Sequence, residues 1–123
     1  MNLAVILDMV AEGMPDRVVV GERETGLTAT QLRDAARAGA SRVTAAGADR
    51  LVYLGPNGPA FPVALFAAAL AGVPFLPLNY RLGDEQLSEI LNRADGVSLV
   101  ITDTPSRVAP VPSLSLAELL ALP

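Results

Sequence analysis

Nineteen consecutive residues, Ala60 to Leu78, carry no charge, close to the length that crosses a bilayer. Pro62, Gly72, Pro74 and Pro77 interrupt that run and decide what it can become. Proline removes the N–H that a continuous helix needs and glycine ends helices. The stretch therefore divides into a helix of about ten residues, a turn and a strand. A helix that is apolar all round needs cover on both sides, and so does an apolar strand. The run predicts a buried helix-turn-strand unit, with no transmembrane segment.

Its flanks repeat the pattern. Arg50 to Gly55 reads as a first strand, and Pro56-Asn57-Gly58-Pro59 turns the chain into a helix from about Pro59 to Ala71. Gly58 or Asn57 is the expected N-cap, with Pro59 in the first turn, where its missing N–H matters least. Val73 to Leu78 is the second strand, Gly83 or Asp84 starts a helix to Ala94, and Ser98 to Thr102 is the third strand. Strands alternating with helices imply parallel pairing and right-handed crossovers. The expected fold is α/β, a three-layer, mostly parallel sheet with flanking helices.

Upstream, Leu3, Ile6, Leu7 and Val10 fall at helical spacing before Gly13 and Pro15, which predicts a short amphipathic helix closed by the glycine. The Val-rich run Arg17 to Gly21, a polar turn, and Gly26-Leu27-Thr28 read as a small N-terminal hairpin. Thr28 and Gln31 have capping-box spacing for a helix to about Ala46, with Leu32, Ala35, Ala36, Val43 and Ala46 on its apolar stripe. Beyond Asp103, residues 104–112 have linker composition, and Ser115 with Glu118 caps one last short helix. The expected division is an α/β subdomain over 1–103, then a linker and short helix over 104–123.

Composition narrows the chemistry. The chain has no His, no Cys and no Lys, all nine basic residues being Arg. The commonest general base, the thiolate nucleophile and the amine that meets transferring phosphates are thus all missing, and no catalytic residue or metal ligand set is expected. A net charge of −4 without a basic run argues against nucleic acid as a partner. Neither Gly-x-x-x-x-Gly-Lys nor Gly-x-Gly-x-x-Gly occurs. With 51% hydrophobic and 18% charged residues, the chain holds more apolar surface than one small core needs. A globule this size buries only about 60–70% of its unfolded surface. Exposed apolar surface is expected to meet further polypeptide or to drive self-association. Asp8 and Glu12 break the N-terminal apolar stretch, and no basic region precedes it, so it does not read as a signal peptide. Cytoplasm is the default, with attachment to a membrane periphery through residues 60–78 as the competing reading.

In an open parallel sheet, ligands gather outside the carboxyl ends of the strands. Those ends are Pro56-Asn57-Gly58, Asn79-Tyr80-Arg81 and Thr102-Asp103. Asn57 reads first as a turn residue or cap, with ligand contact as the alternative. Asn79 reads as a side chain bonding its own backbone. Arg81 lies near the next helix N-terminus, where anions are favoured, against the plainer reading of a solvated or salt-bridged surface residue.

Met14-Pro15-Asp16-Arg17-Val18, Gly26-Leu27-Thr28 with Gln31-Leu32, Leu54-Gly55-Pro56-Asn57-Gly58, and Pro77-Leu78-Asn79-Tyr80-Arg81-Leu82 with Gln86-Leu87 and Ile90-Leu91 follow one another in the chain. In that order and spacing they resemble the opening of the adenylate-forming acyl-CoA synthetases. The resemblance runs from Leu3 to Asp103. It implies a ligase that uses ATP and magnesium to turn a carboxylic acid into an acyl-adenylate and then passes the acyl group to the thiol of coenzyme A (CoA). It also implies that the phosphate loop, the adenine and ribose motifs and the catalytic Lys lie beyond this sequence, so these 123 residues alone are expected to be catalytically inactive and to bind no cofactor. One residue is carried over: Arg81 occupies the position of an Arg that in relatives lies near the nucleotide end of CoA. Gly58 stands where relatives commonly have Ser, and Tyr80 where they commonly have Pro. The alternative to an enzyme fragment is a stand-alone, noncatalytic protein-interaction module of the same fold.

Overall fold

The structure, a computed structural model, describes residues 3–21, 26–93 and 95–121. The polar turn of the hairpin and the helix end expected at Ala94 lie outside the described residues. Helix α1 spans Leu3–Gly13, and strands β1 (Val18–Val20) and β2 (Leu27–Thr28) form the expected antiparallel pair. Helix α2 covers Ala29–Ala45. Its Thr28 hydroxyl accepts from Gln31 N–H while the Gln31 side chain accepts from Thr28 N–H, so two otherwise orphaned donors are satisfied.

Strand β3 (Arg50–Leu54), helix α3 (Ala60–Ala71), strand β4 (Phe75–Leu78), helix α4 (Asp84–Arg93) and strand β5 (Ser98–Thr102) follow the predicted alternation. After a 3-10 helix at Pro105–Arg107 come strand β6 (Ser113–Leu114) and helix α5 (Leu116–Leu120). The strands lie in the order β4-β3-β5-β6, all parallel. From β3 the chain moves one way to β4, then back past β3 to β5. Crossovers of one hand must then place α3 and α4 on opposite faces. They do: Leu51, Tyr53, Leu99 and Ile101 meet α2, α3 and α5 on one face, while Val52, Leu54 and Val100 meet Leu87 of α4 and Val108 on the other. The fold is the expected three-layer α/β arrangement with a separate hairpin.

Four local expectations are corrected. Gly13 lies within the last turn of α1 and lacks the positive φ of a left-handed cap, because Met14 N–H continues the ladder to the Val10 carbonyl at 2.7 Å. The buried stripe of α1 is Ala4, Leu7 and Ala11, with Leu3 and Ile6 facing outward, because the small alanines let this helix approach the rest. Neither Gly58 nor Asn57 caps α3. Pro59 holds the N-cap position with φ −63°, already helical, and the Gly58 carbonyl accepts from Phe61 N–H. Finally, a fourth parallel strand follows the proline-rich stretch: Ser113 and Leu114 pair with Val100 and Ile101. Prolines fix the turns there, yet Val108, Leu114 and Leu119 are all 2% exposed or less, and their burial pins the segment to the sheet.

Candidate functional site at the carboxyl ends of the strands

The turn after β3 leaves toward the α3 face, whereas the connection after β5 leaves toward the α4 face. Between two such strands the loops diverge and leave a crevice, the usual ligand position in an open α/β sheet. Here it holds a cavity of about 120 Å³, walled by Leu54, Gly55 and Pro56 from the end of β3, Tyr80, Asp103 and Thr104, Arg107 and Leu116. That space suits a few water molecules or the tip of a larger ligand.

Each wall has a local cause. Tyr53 is buried in β3, and its hydroxyl donates to the Pro56 carbonyl at 2.8 Å, shaping the turn that follows. Burial, and secondarily the Asp103 carboxylate, raise its pKa above the ordinary 10.0. Asp103 follows β5 and accepts from the Leu116 N–H at 3.0 Å, so one of the first free donors of α5 is satisfied from the loop after the strand. Leu116 in turn covers Gly55, where a Cβ would stand 3.2 Å from its Cδ2. Thr102, 1% exposed, accepts from Thr104 N–H at 3.1 Å and so turns the chain toward the 3-10 helix.

The predicted residues fall on the rim. Asn79 does bond its own backbone, its Oδ1 accepting from Arg81 N–H at 2.9 Å. Asn57 is exposed in the β3–α3 turn. Arg81 is exposed, with its guanidinium carbon 5.6 Å from the Tyr80 ring centre, and forms no ion pair among the described residues. The nearby start of α4 adds little attraction for an anion: Asp84 and Glu85 already occupy its first turn, and Gly83 N–H donates to Gln86. The positive charge without an acidic partner at this rim, among the described residues, is that of Arg81.

Arg107 escaped the sequence reading. Its Nε donates to Asp84 at 2.6 Å, its Nη1 to the Tyr80 carbonyl at 2.9 Å, and its Nη2 to the Leu82 carbonyl. A single Arg among prolines gives no periodic signal, and its partners lie more than twenty positions upstream. Among the described residues no group of three or more acidic side chains is close enough to hold a metal ion. No helix among them is long and apolar enough to cross a membrane.

Fold and crevice together define a doubly wound α/β scaffold with a small, mostly apolar cleft at its topological switch point, edged by Asp103, Thr104 and Arg107. Residues 7–121 match the AMP-binding enzyme family, and the chain belongs to it. A feruloyl-CoA synthase from Amycolatopsis is 38% identical over 112 residues, which is 89% of this chain and 22% of that protein. The chain thus spans about a fifth of the length of that curated relative. Among solved structures, a long-chain-fatty-acid CoA ligase from Rhodopseudomonas palustris superposes with a TM-score of 0.78 at 26% identity, over 97% of this chain and 36% of that one. A fused adenylation and carrier di-domain from Klebsiella oxytoca reaches 0.79 at 20% identity, covering 97% of this chain and 23% of that one, and is alike in fold.

Proposed function

We propose that this chain is the N-terminal part of an ATP-dependent carboxylic acid–CoA ligase, which forms an acyl-adenylate and then the CoA thioester. The observation that carries the reading is the 38% identity with a feruloyl-CoA synthase across 89% of the chain. The share of the chemistry held here is recognition. Arg81, exposed and without an acidic partner among the described residues, presents paired N–H donors suited to a phosphate of CoA. The ATP-binding and catalytic groups belong to the remainder of the polypeptide, and the cytoplasm, where ATP and CoA are both available, is the location this reading favours.

The test uses the full-length protein that carries this chain, with ATP, magnesium, CoA and a panel of acids beginning with ferulate. Acid-dependent pyrophosphate exchange followed by thioester formation is expected, and exchange with no acid of the panel would overturn the reading. Arg81→Ala is expected to remove a charge-assisted contact of about 1.5–3 kcal/mol, which is roughly a 10- to 100-fold rise in KM for CoA. Pyrophosphate exchange should hardly change. Arg81→Lys keeps the charge without the paired donors and should fall between the two.

A further inference from the structure

Arg107 grips the segment bearing Arg81 at every second residue. Its three contacts go to Tyr80, Leu82 and Asp84, so they bracket Arg81 on both sides, while Asn79 holds the Arg81 N–H from within the turn. We propose that Arg107 is a positioning residue for Arg81, fixing the backbone from which the phosphate-facing guanidinium projects. The inference rests on the reading of Arg81 as the CoA contact.

The anchoring end is firm. Arg107 closes the 3-10 helix, and the next residue, Val108, is 2% exposed and packs with Val52, Leu54 and Val100 of the sheet. The guanidinium is a planar fork whose donors keep a fixed relative geometry, so three acceptors on one loop are held in one arrangement. An exposed turn without such a tie would sample many backbone conformations, and each bound phosphate would then have to order it. Charge is arranged to the same end. Asp84 lies near enough to Arg81 in sequence to compete for it, but its carboxylate is engaged by Arg107 at 2.6 Å. Arg81 keeps its charge uncompensated by Asp84, and its guanidinium rests against the Tyr80 ring, whose own backbone carbonyl Arg107 holds at 2.9 Å.

In the full-length protein, Arg107→Met keeps the apolar stem and removes every donor, while Arg107→Lys keeps the charge but cannot span three acceptors. Arg107→Met is expected to raise KM for CoA about tenfold, with pyrophosphate exchange within about twofold of the parent, and Arg107→Lys to recover part of the loss. Because Arg107 acts through Arg81, adding Arg107→Met to Arg81→Ala should raise KM no further. Equal losses in both half-reactions, or a fully additive double variant, would overturn the proposal. If Arg81→Ala alone leaves KM unchanged, the CoA reading fails, and amide hydrogen exchange then decides the positioning role separately. Faster exchange at Arg81 and Leu82 in Arg107→Met, with β5 unaffected, sustains it, and unchanged exchange there overturns it. Should Arg107→Met not fold, Asp84→Asn, which removes only the ion pair, carries the same measurements with a smaller expected rise.

Discussion

Gly39 of α2 and Ala67 of α3 face each other so closely that a Cβ on Gly39 would stand 2.9 Å from the Ala67 Cβ, and 3.3 Å from Leu119 Cδ1 of α5. Three helices meet at this point, above Leu51 and Tyr53 of the sheet. Leu119 can rotate away, but a methyl group fixed to the α3 backbone cannot, so the glycine sets the distance between α2 and α3.

Gly39→Ala therefore sets two effects against each other. An alanine in a helix interior favours folding by about 1 kcal/mol, whereas overpacking a close-packed site costs about 1–3 kcal/mol. The rigid neighbour makes the second effect win, and a lower urea midpoint with an unchanged slope is expected. Ala67→Gly should offset part of the loss when the two are combined. A Gly39→Ala protein more stable than the parent would show that the helices separate at little cost.

Tyr53 gives the molecule an alkaline weakness. Its folded pKa lies above the ordinary 10.0, first because it is buried and second because of Asp103. The unfolded chain then loses the proton first as pH rises. The contribution is fully present below pH of about 10 and is lost as pH climbs through the folded value. Chemical denaturation at stepped alkaline pH should show stability falling in that window, and Tyr53→Phe should flatten the fall. The same substitution removes the bond to the Pro56 carbonyl, costing about 0.5–1.5 kcal/mol at neutral pH.

The start of α5 responds to acid instead. Ser115 and Glu118 form a reciprocal capping box, and the Ser115 N–H and hydroxyl hold the Glu118 pKa below its ordinary 4.5, with Arg42 assisting. The depressed value means that this contribution is present above the unfolded pKa and is lost as pH falls through the folded one. Ser115→Ala should lower stability by about 0.5–2 kcal/mol at neutral pH. It should also weaken the acid dependence of the α5 amides in hydrogen exchange. Equal acid sensitivity in parent and variant would remove Glu118 from the account.

The outer side of α1 exposes Leu3, Val5, Ile6 and Met9, the last at 62%. Apolar side chains gathered on one side of a helix are expected to bind a hydrophobic dye and to promote association of these 123 residues on their own. Ile6→Glu with Met9→Lys should reduce both without lowering the melting temperature, since neither side chain belongs to the core. A monomer at high concentration that binds no dye would contradict this.

Local chemistry made much of this protein legible in its residues. Proline and glycine divide the charge-free run at 60–78, Thr28 with Gln31 and Ser115 with Glu118 announce helix starts, and the alternation from Arg50 to Thr102 announces a parallel sheet, because each signal acts within a few residues. The Asn79 turn belongs to the same class. What only the tertiary structure decided depends on residues far apart in the chain. The strand β6, directly after the proline-containing stretch, pairs with β5 where Leu114 and Leu119 are buried, and two residues carry no pattern that announces a strand. The α1 stripe runs through Ala4, Leu7 and Ala11 because close approach favours small residues, where hydrophobicity alone favours Leu3 and Ile6. Arg107 meets Asp84 across 23 positions, and no periodicity encodes that pairing, because it is created when β5 and α4 are folded against each other.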